Sequence, residues 1–77
     1  MKADEFHLFA ATVLNVSPAT LSLETTVGSI PEWDSVNHLR LILETEKCFG
    51  VYYPIDRIPA LKSLADFLLP QKPVSHG

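Results

Sequence analysis

Apolar side chains recur with a helical period in three stretches of this chain, and lose it in between. From residue 4 to residue 15, Phe6, Phe9, Ala10 and Val13 fall at the three- and four-residue spacing that lines one helix face. Asp4 and Glu5 open that stretch, where the helix dipole favours negative charge, and Asn15 to Pro18 predicts its end. Residues 17 to 33 scatter Leu21, Leu23, Val27, Ile30 and Trp33 among Ser, Thr, Gly and Pro with no period. This predicts a long loop anchored inward by those side chains, with Trp33 plugging it onto the helices. A loop of that length is uncommon unless it serves a function. Asp34 to Phe49 contains neither Gly nor Pro, opens on two capping residue types and is followed by Gly50. It is the clearest helix, roughly 22 Å long at the usual rise per residue. Val51 to Pro54 reads as extended. Ile55 to Ile58 reads as one short turn fenced by Pro54 and Pro59, and residues 60 to 69 resume a helical period through Leu61, Leu64, Ala65 and Leu68. Pro70 ends that helix, and residues 70 to 77 read as a frayed tail. The expectation is a single all-α domain, a small helical bundle with one long connection.

The second helix has more apolar surface than a core face needs. At about 100° per residue, Leu41, Ile42, Thr45 and Phe49 share one side, with Leu39 at its edge. Val36 and Leu43 fall on a different line, with Arg40 between them and Lys47 a turn beyond. Isolated apolar residues on a surface are ordinary. A stripe of apolar anchors flanked by charges is also what a partner-docking surface looks like, and this stripe lies directly below the helix N-terminus.

Composition narrows the possible functions. The chain has 77 residues, 47% of them hydrophobic, enough for one small core. A net charge of −3 argues against nucleic acid as a partner, because phosphates call for a basic face. A lone cysteine, Cys48, excludes an internal disulfide and favours a reducing compartment. No apolar run approaches the ~20 residues of a membrane helix, and the opening Met-Lys-Ala-Asp-Glu lacks a signal-peptide pattern. A soluble, cytoplasmic, monomeric protein is expected. His7, His76 and Cys48 lack metal-ligand spacing, and three glycines do not make a phosphate loop. Tyr52 and Tyr53 are expected to cover the bundle end.

Ser35 stands at the cap or first position of the second helix. It could be a plain N-cap, a role Asp34 fills equally well. It could instead carry a phosphate or phosphodiester, since free N–H groups and the dipole at a helix N-terminus favour negative charge. A hydrolytic triad of Asp34, Ser35 and His38 is rejected. Three residues within one helical turn do not line up as nucleophile, base and orienter, and no Gly-x-Ser-x-Gly elbow is present. His38 is expected at the margin of the core face.

The run Trp33-Asp34-Ser35-Val36, followed by Leu39, Leu41-Ile42-Leu43, Glu46, Phe49-Gly50-Val51, Pro54 and Ile58, resembles the acyl carrier protein family. The family's signature is Asp-Ser-Leu at the start of its second helix, and the register holds without a gap from Trp33 to about Leu64. The resemblance implies a four-helix bundle whose short third helix is the turn at Ile55 to Ile58. It implies that Ser35 receives 4′-phosphopantetheine from coenzyme A through a phosphopantetheinyl transferase, with Asp34 as the motif aspartate beside it. The arm would hold an acyl or aminoacyl thioester, loaded by a ligase or acyltransferase and used by a downstream synthase or transferase, while the chain itself is not an enzyme. Val36 and Leu43 match docking positions of the family's second helix, Arg40 and Lys47 flank them, and Ile58 matches a third-helix position near the arm. Val36 stands for the usual Leu, Arg40 and Lys47 stand where fatty-acid carriers are acidic or neutral, and Pro31-Glu32-Trp33 replaces a Gly-rich lead-in. These departures point to a discrete carrier of a specialised pathway, such as polyketide, nonribosomal peptide or modified-sugar assembly. The competing expectation is a small helical interaction module in which Ser35 is only a cap.

Overall fold

The computed structural model describes residues 2 to 68 and 72 to 73. Helix α1 spans Ala3–Leu14 and buries Phe6, Ala10, Ala11 and Leu14 on one face. It stops at Asn15, which takes the left-handed conformation at φ 59°, a region that asparagine tolerates better than most residues. The turn is closed by hydrogen bonds from Asn15 N to Thr12 O and from Val16 N to Ala11 O. Helix α2 spans Ser35–Phe49, is capped by Asp34 and ends at Gly50, where φ is 65°. A side chain at Gly50 would be strained by that backbone conformation even though the space around it is open.

The loop between the two helices is ordered by contacts at both of its faces. A 3₁₀ turn at Pro18–Thr20 lies against α1, where His7 Nε2 is 2.8 Å from the Pro18 carbonyl and 2.9 Å from that of Leu21. On its other side the loop is stitched to the C-terminal part of the chain. Val27 N donates to Lys62 O, Leu64 N to Thr25 O and Ala65 N to Leu23 O, and Thr26 pairs with Ser63. Leu21 is buried, Leu23, Val27 and Ile30 pack on the core, and Trp33 is fully buried. The anchoring residues expected from the pattern are therefore the ones that reach inward.

Beyond α2 the structure departs from the sequence pattern. The short turn expected at Ile55 to Ile58 is present, closed by Arg57 N and Ile58 N on the Pro54 carbonyl, but a 3₁₀ turn at Ile58–Ala60 continues it, and Pro59 lies inside that second turn instead of fencing the first. Proline is accommodated at the start of such a turn, because the N–H it lacks would have no partner there. The helix expected over residues 60 to 69 contracts to the single turn α3, Leu64–Phe67. Residues 62 to 65 give backbone groups to the loop, which removes them from a continuous helical ladder. The start of α3 is set by Asp66, whose carboxylate accepts the N–H groups of Lys62 and Ser63 at 2.9 Å each. Those bonds hold its carboxyl below the ordinary 3.8. Strand β1, Val51–Tyr52, pairs antiparallel with β2, Lys72–Pro73, with Val51 opposite Pro73 and Tyr52 opposite Lys72. The rest of the expected tail lies outside the described residues.

The chain is thus mostly helical, with two full helices, one single-turn helix and two 3₁₀ turns among the described residues. The core gathers where the elements converge. Phe6 stacks on Phe67 at 5.2 Å between ring centroids, and Phe9 meets Phe49 edge-on at 5.0 Å. Tyr53 is buried and donates its hydroxyl to the Phe67 carbonyl, whereas its neighbour Tyr52 is half exposed.

Truncating Phe6 removes the ring that joins α1 to α3 and to Phe49. Phe6→Ala is expected to cost about 3–5 kcal/mol, close to the whole stability of a domain this small. Urea or thermal unfolding should show the cooperative transition largely lost.

Candidate functional site

The junction between the loop and α2 is tied at almost every residue except the serine. Asp34 Oδ1 accepts the N–H of Asn37 at 2.9 Å, which makes Asp34 the cap and puts Ser35 at the first helical position. Asn37 Nδ2 reaches back to the Glu32 carbonyl at 2.8 Å. Gly28 N donates to Trp33 O at 2.7 Å, and Trp33 N donates to Ile30 O. The Trp33 indole Nε1–H donates to His38 Nδ1 at 3.0 Å. Ser35 itself is exposed, and among the described residues its hydroxyl has no hydrogen-bond partner. The N–H groups of Ser35 and Val36 likewise find no backbone acceptor there. A nucleophilic oxygen therefore sits on a fixed backbone, beside two free donors at the positive end of a fifteen-residue helix.

His38 occupies the margin of the core face, between Trp33 and Phe67, at ring centroid distances of 5.7 and 5.9 Å. An indole N–H can only donate, so His38 Nδ1 must carry a lone pair and the ring is the neutral Nε2–H tautomer. Its other polar contact is with the backbone of Leu61. Burial holds the imidazole below its ordinary 6.5, and the Leu61 bond offsets part of that. The unfolded chain therefore takes up this proton first. The stability tied to His38 is present above pH 6.5 and is lost as pH falls below it, toward the folded midpoint. His38 cannot serve as a base for Ser35, because both ring nitrogens are already engaged.

Helix α2 separates into the two faces read from the sequence, with one change. Leu41, Ile42 and Thr45 are buried, the Thr45 hydroxyl bonding to the Leu41 carbonyl, and Phe49 packs on the core. Leu39, expected at the edge of that face, is 52% exposed and joins Val36 at 76% and Leu43 at 57%. Together with Ser35, Arg40 and Glu44, these residues line a shallow groove of about 400 Å³ that begins at the serine. Arg40 and Lys47 are exposed, and neither is ion-paired among the described residues. Ile58 lies elsewhere. It is half buried and lines a second hollow of about 510 Å³, with Thr26, Val27, His38, Pro59, Leu61 and Lys62. The two hollows lie on different sides of α2. Leu39 and Asn37 were the site residues missed from sequence. The i, i+3 spacing from Val36 to Leu39 and the Asx-type capping of Asn37 by Asp34 were the available signals.

Comparison with family models, curated proteins and solved structures gives no match. No described helix is long and apolar enough to cross a membrane.

The capping geometry separates two neighbouring residues in an unfolding experiment. Asp34→Ala should cost about 1 kcal/mol through loss of the cap, and Ser35→Ala no more than about 0.5 kcal/mol. Urea midpoints of the two variants against the parent protein provide the measurement.

Proposed function

We propose that this chain is a carrier protein that holds an acyl or aminoacyl cargo on a 4′-phosphopantetheine arm attached to Ser35. The observation that carries the reading is the state of that serine within the run Trp33-Asp34-Ser35-Val36. Among the described residues its hydroxyl is exposed and unbonded at the first position of α2, while Glu32, Trp33, Asp34, Asn37 and His38 around it are hydrogen-bonded. The interaction-module alternative with Ser35 as a cap loses ground for a specific reason, namely that Asp34 performs the capping.

The residues at the junction suit the group. Ser35 would supply the oxygen of the phosphodiester, and the free N–H groups of Ser35 and Val36 would face its negative charge. When bound, the group supplies a terminal thiol that carries the cargo as a thioester. Asp34 fixes the backbone turn that keeps the serine outward. The groove below the serine, with Val36, Leu39 and Leu43 as apolar anchors and Arg40 and Lys47 beside them, gives a partner enzyme something to hold while it reaches the arm. In this reading the domain is a reduced four-helix bundle in which the 3₁₀ turn Ile58–Ala60 takes the place of the third helix and α3 the fourth. Its partners are a phosphopantetheinyl transferase, a loading ligase or acyltransferase, and a downstream synthase or transferase. Arg40 and Lys47, exposed on α2, suit a specialised pathway with its own partners better than general fatty acid synthesis. The setting would be cytoplasmic, with the carrier as a monomer.

Incubation with coenzyme A and a broad-specificity transferase should add one arm, seen by intact mass, and Ser35→Ala should abolish it. Absence of the adduct, or an adduct that survives that substitution, would refute the reading. The groove makes a separate prediction. Leu43→Ala and Arg40→Glu should lower kcat/KM for the transfer about fivefold or more, as loss of an interface anchor does, while shifting stability by less than ~0.5 kcal/mol. Equal losses in both would make the stripe structural.

A further inference from the structure

The imidazole of His38 is the point where three segments meet. Its Nδ1 takes the Trp33 indole proton at 3.0 Å, tying it to the residue two before Ser35. Its contact with the Leu61 backbone ties it to the segment that is itself stitched to the loop through Lys62 and Val27. Its ring also packs edge-on against Phe67 of α3. Both ring nitrogens are used, and the Trp33 bond exists only while Nδ1 has its lone pair. A proton from solvent added at Nδ1 leaves two N–H donors on the ring and turns the indole N–H, on a fully buried tryptophan, into a donor without an acceptor. Around the ring, the loop contributes Thr26 and Val27, neither of which titrates. Lys62 lines the same hollow, and Asp34 stands one turn up α2 with its carboxylate on Asn37. Asp66, beside Phe67, has its carboxylate on the amides of Lys62 and Ser63. Among the described residues no carboxylate pairs with the imidazole.

We infer that His38 is a positioning residue for Ser35: only its neutral ring latches Trp33, and the latch holds the junction in the form that a modifying enzyme accepts. The role at Ser35 rests on the carrier reading, whereas the latch does not. The hollow beside His38 allows the ring to move when the bond to Trp33 is lost.

The chain has one tryptophan, so its indole N–H gives a single, unambiguous NMR signal. That signal should move with a midpoint below pH 6.5, together with the His38 ring protons, and should be static in His38→Gln. Glutamine keeps an acceptor for Trp33 and does not titrate. Over the same pH range, the rate of arm transfer to the parent protein, divided by that to His38→Gln, should fall with the neutral fraction. That is about tenfold for each pH unit below the same midpoint. Trp33→Phe, which keeps the buried ring but removes the donor, should be modified slowly at every pH, and the ratio of its rate to that of His38→Gln should stay flat. Dividing by His38→Gln removes the transferase's own pH dependence. An indole signal indifferent to His38 titration overturns the latch. A flat parent-to-variant ratio alongside a titrating indole overturns the positioning role. Should neither the parent protein nor any variant accept the arm at any pH, the carrier reading falls and the role at Ser35 with it, recognisable because the indole titration still reports the latch.

Discussion

An indole buried completely must find an acceptor for its N–H, and in this chain that acceptor is a histidine five residues further on, inside the first turns of α2. Much of the molecule is arranged around that requirement. The tryptophan ends a loop that would otherwise be too long and too polar to hold one shape. Placing its ring in the core and its N–H on His38 fixes where the loop stops and where α2 begins. His38 reaches from there to Leu61, whose neighbours Lys62 and Leu64 bond back to the loop at Val27 and Thr25. Loop, helix and C-terminal segment therefore close on one another through backbone bonds and one side-chain pair.

That closure determines what is left outside. Because Asp34, Asn37 and Trp33 satisfy the junction, Ser35 has nothing to do for the fold. An exposed, unbonded hydroxyl at a capped helix start costs little to keep in water. The same division runs down α2. Leu41, Ile42 and Thr45 hold the helix to the core, so Val36, Leu39 and Leu43 can remain exposed without loosening it. This combination suits the carrier function proposed above, in which handle and attachment point stay open while the fold is unchanged.

The two hollows lie on different sides of α2 and have different walls. The groove on the outer side of α2 runs from the serine past Val36, Leu39, Arg40 and Leu43. The hollow on the other side is walled by Ile58, Leu61 and His38 and belongs to the seam between loop and C-terminal segment. Ile58, grouped with the docking residues from the sequence, lies in that seam and not on the groove.

What could be read from the chain alone was whatever is local. A helix period, a cap and a terminating Gly50 are set within a few residues, so α1 and α2, the inward anchors of the loop and the candidate serine all stood in the sequence. The position of Ser35 at the helix start and the exposed Val36–Leu43 stripe were legible for the same reason, because spacing on a single helix is enough to place them. Tertiary structure alone decided the contests between a local pattern and a distant partner. Residues 60 to 69 have a helical period, yet the backbone of 62 to 65 bonds to the loop and leaves only one turn of α3. Leu39 could have completed the core face, but the space there was already filled by Leu41, Ile42 and Thr45, and it turned outward. Nor does the order of residues reveal that Trp33 and His38 share a proton bond, since that depends on a ring being driven into a core assembled from the rest of the chain.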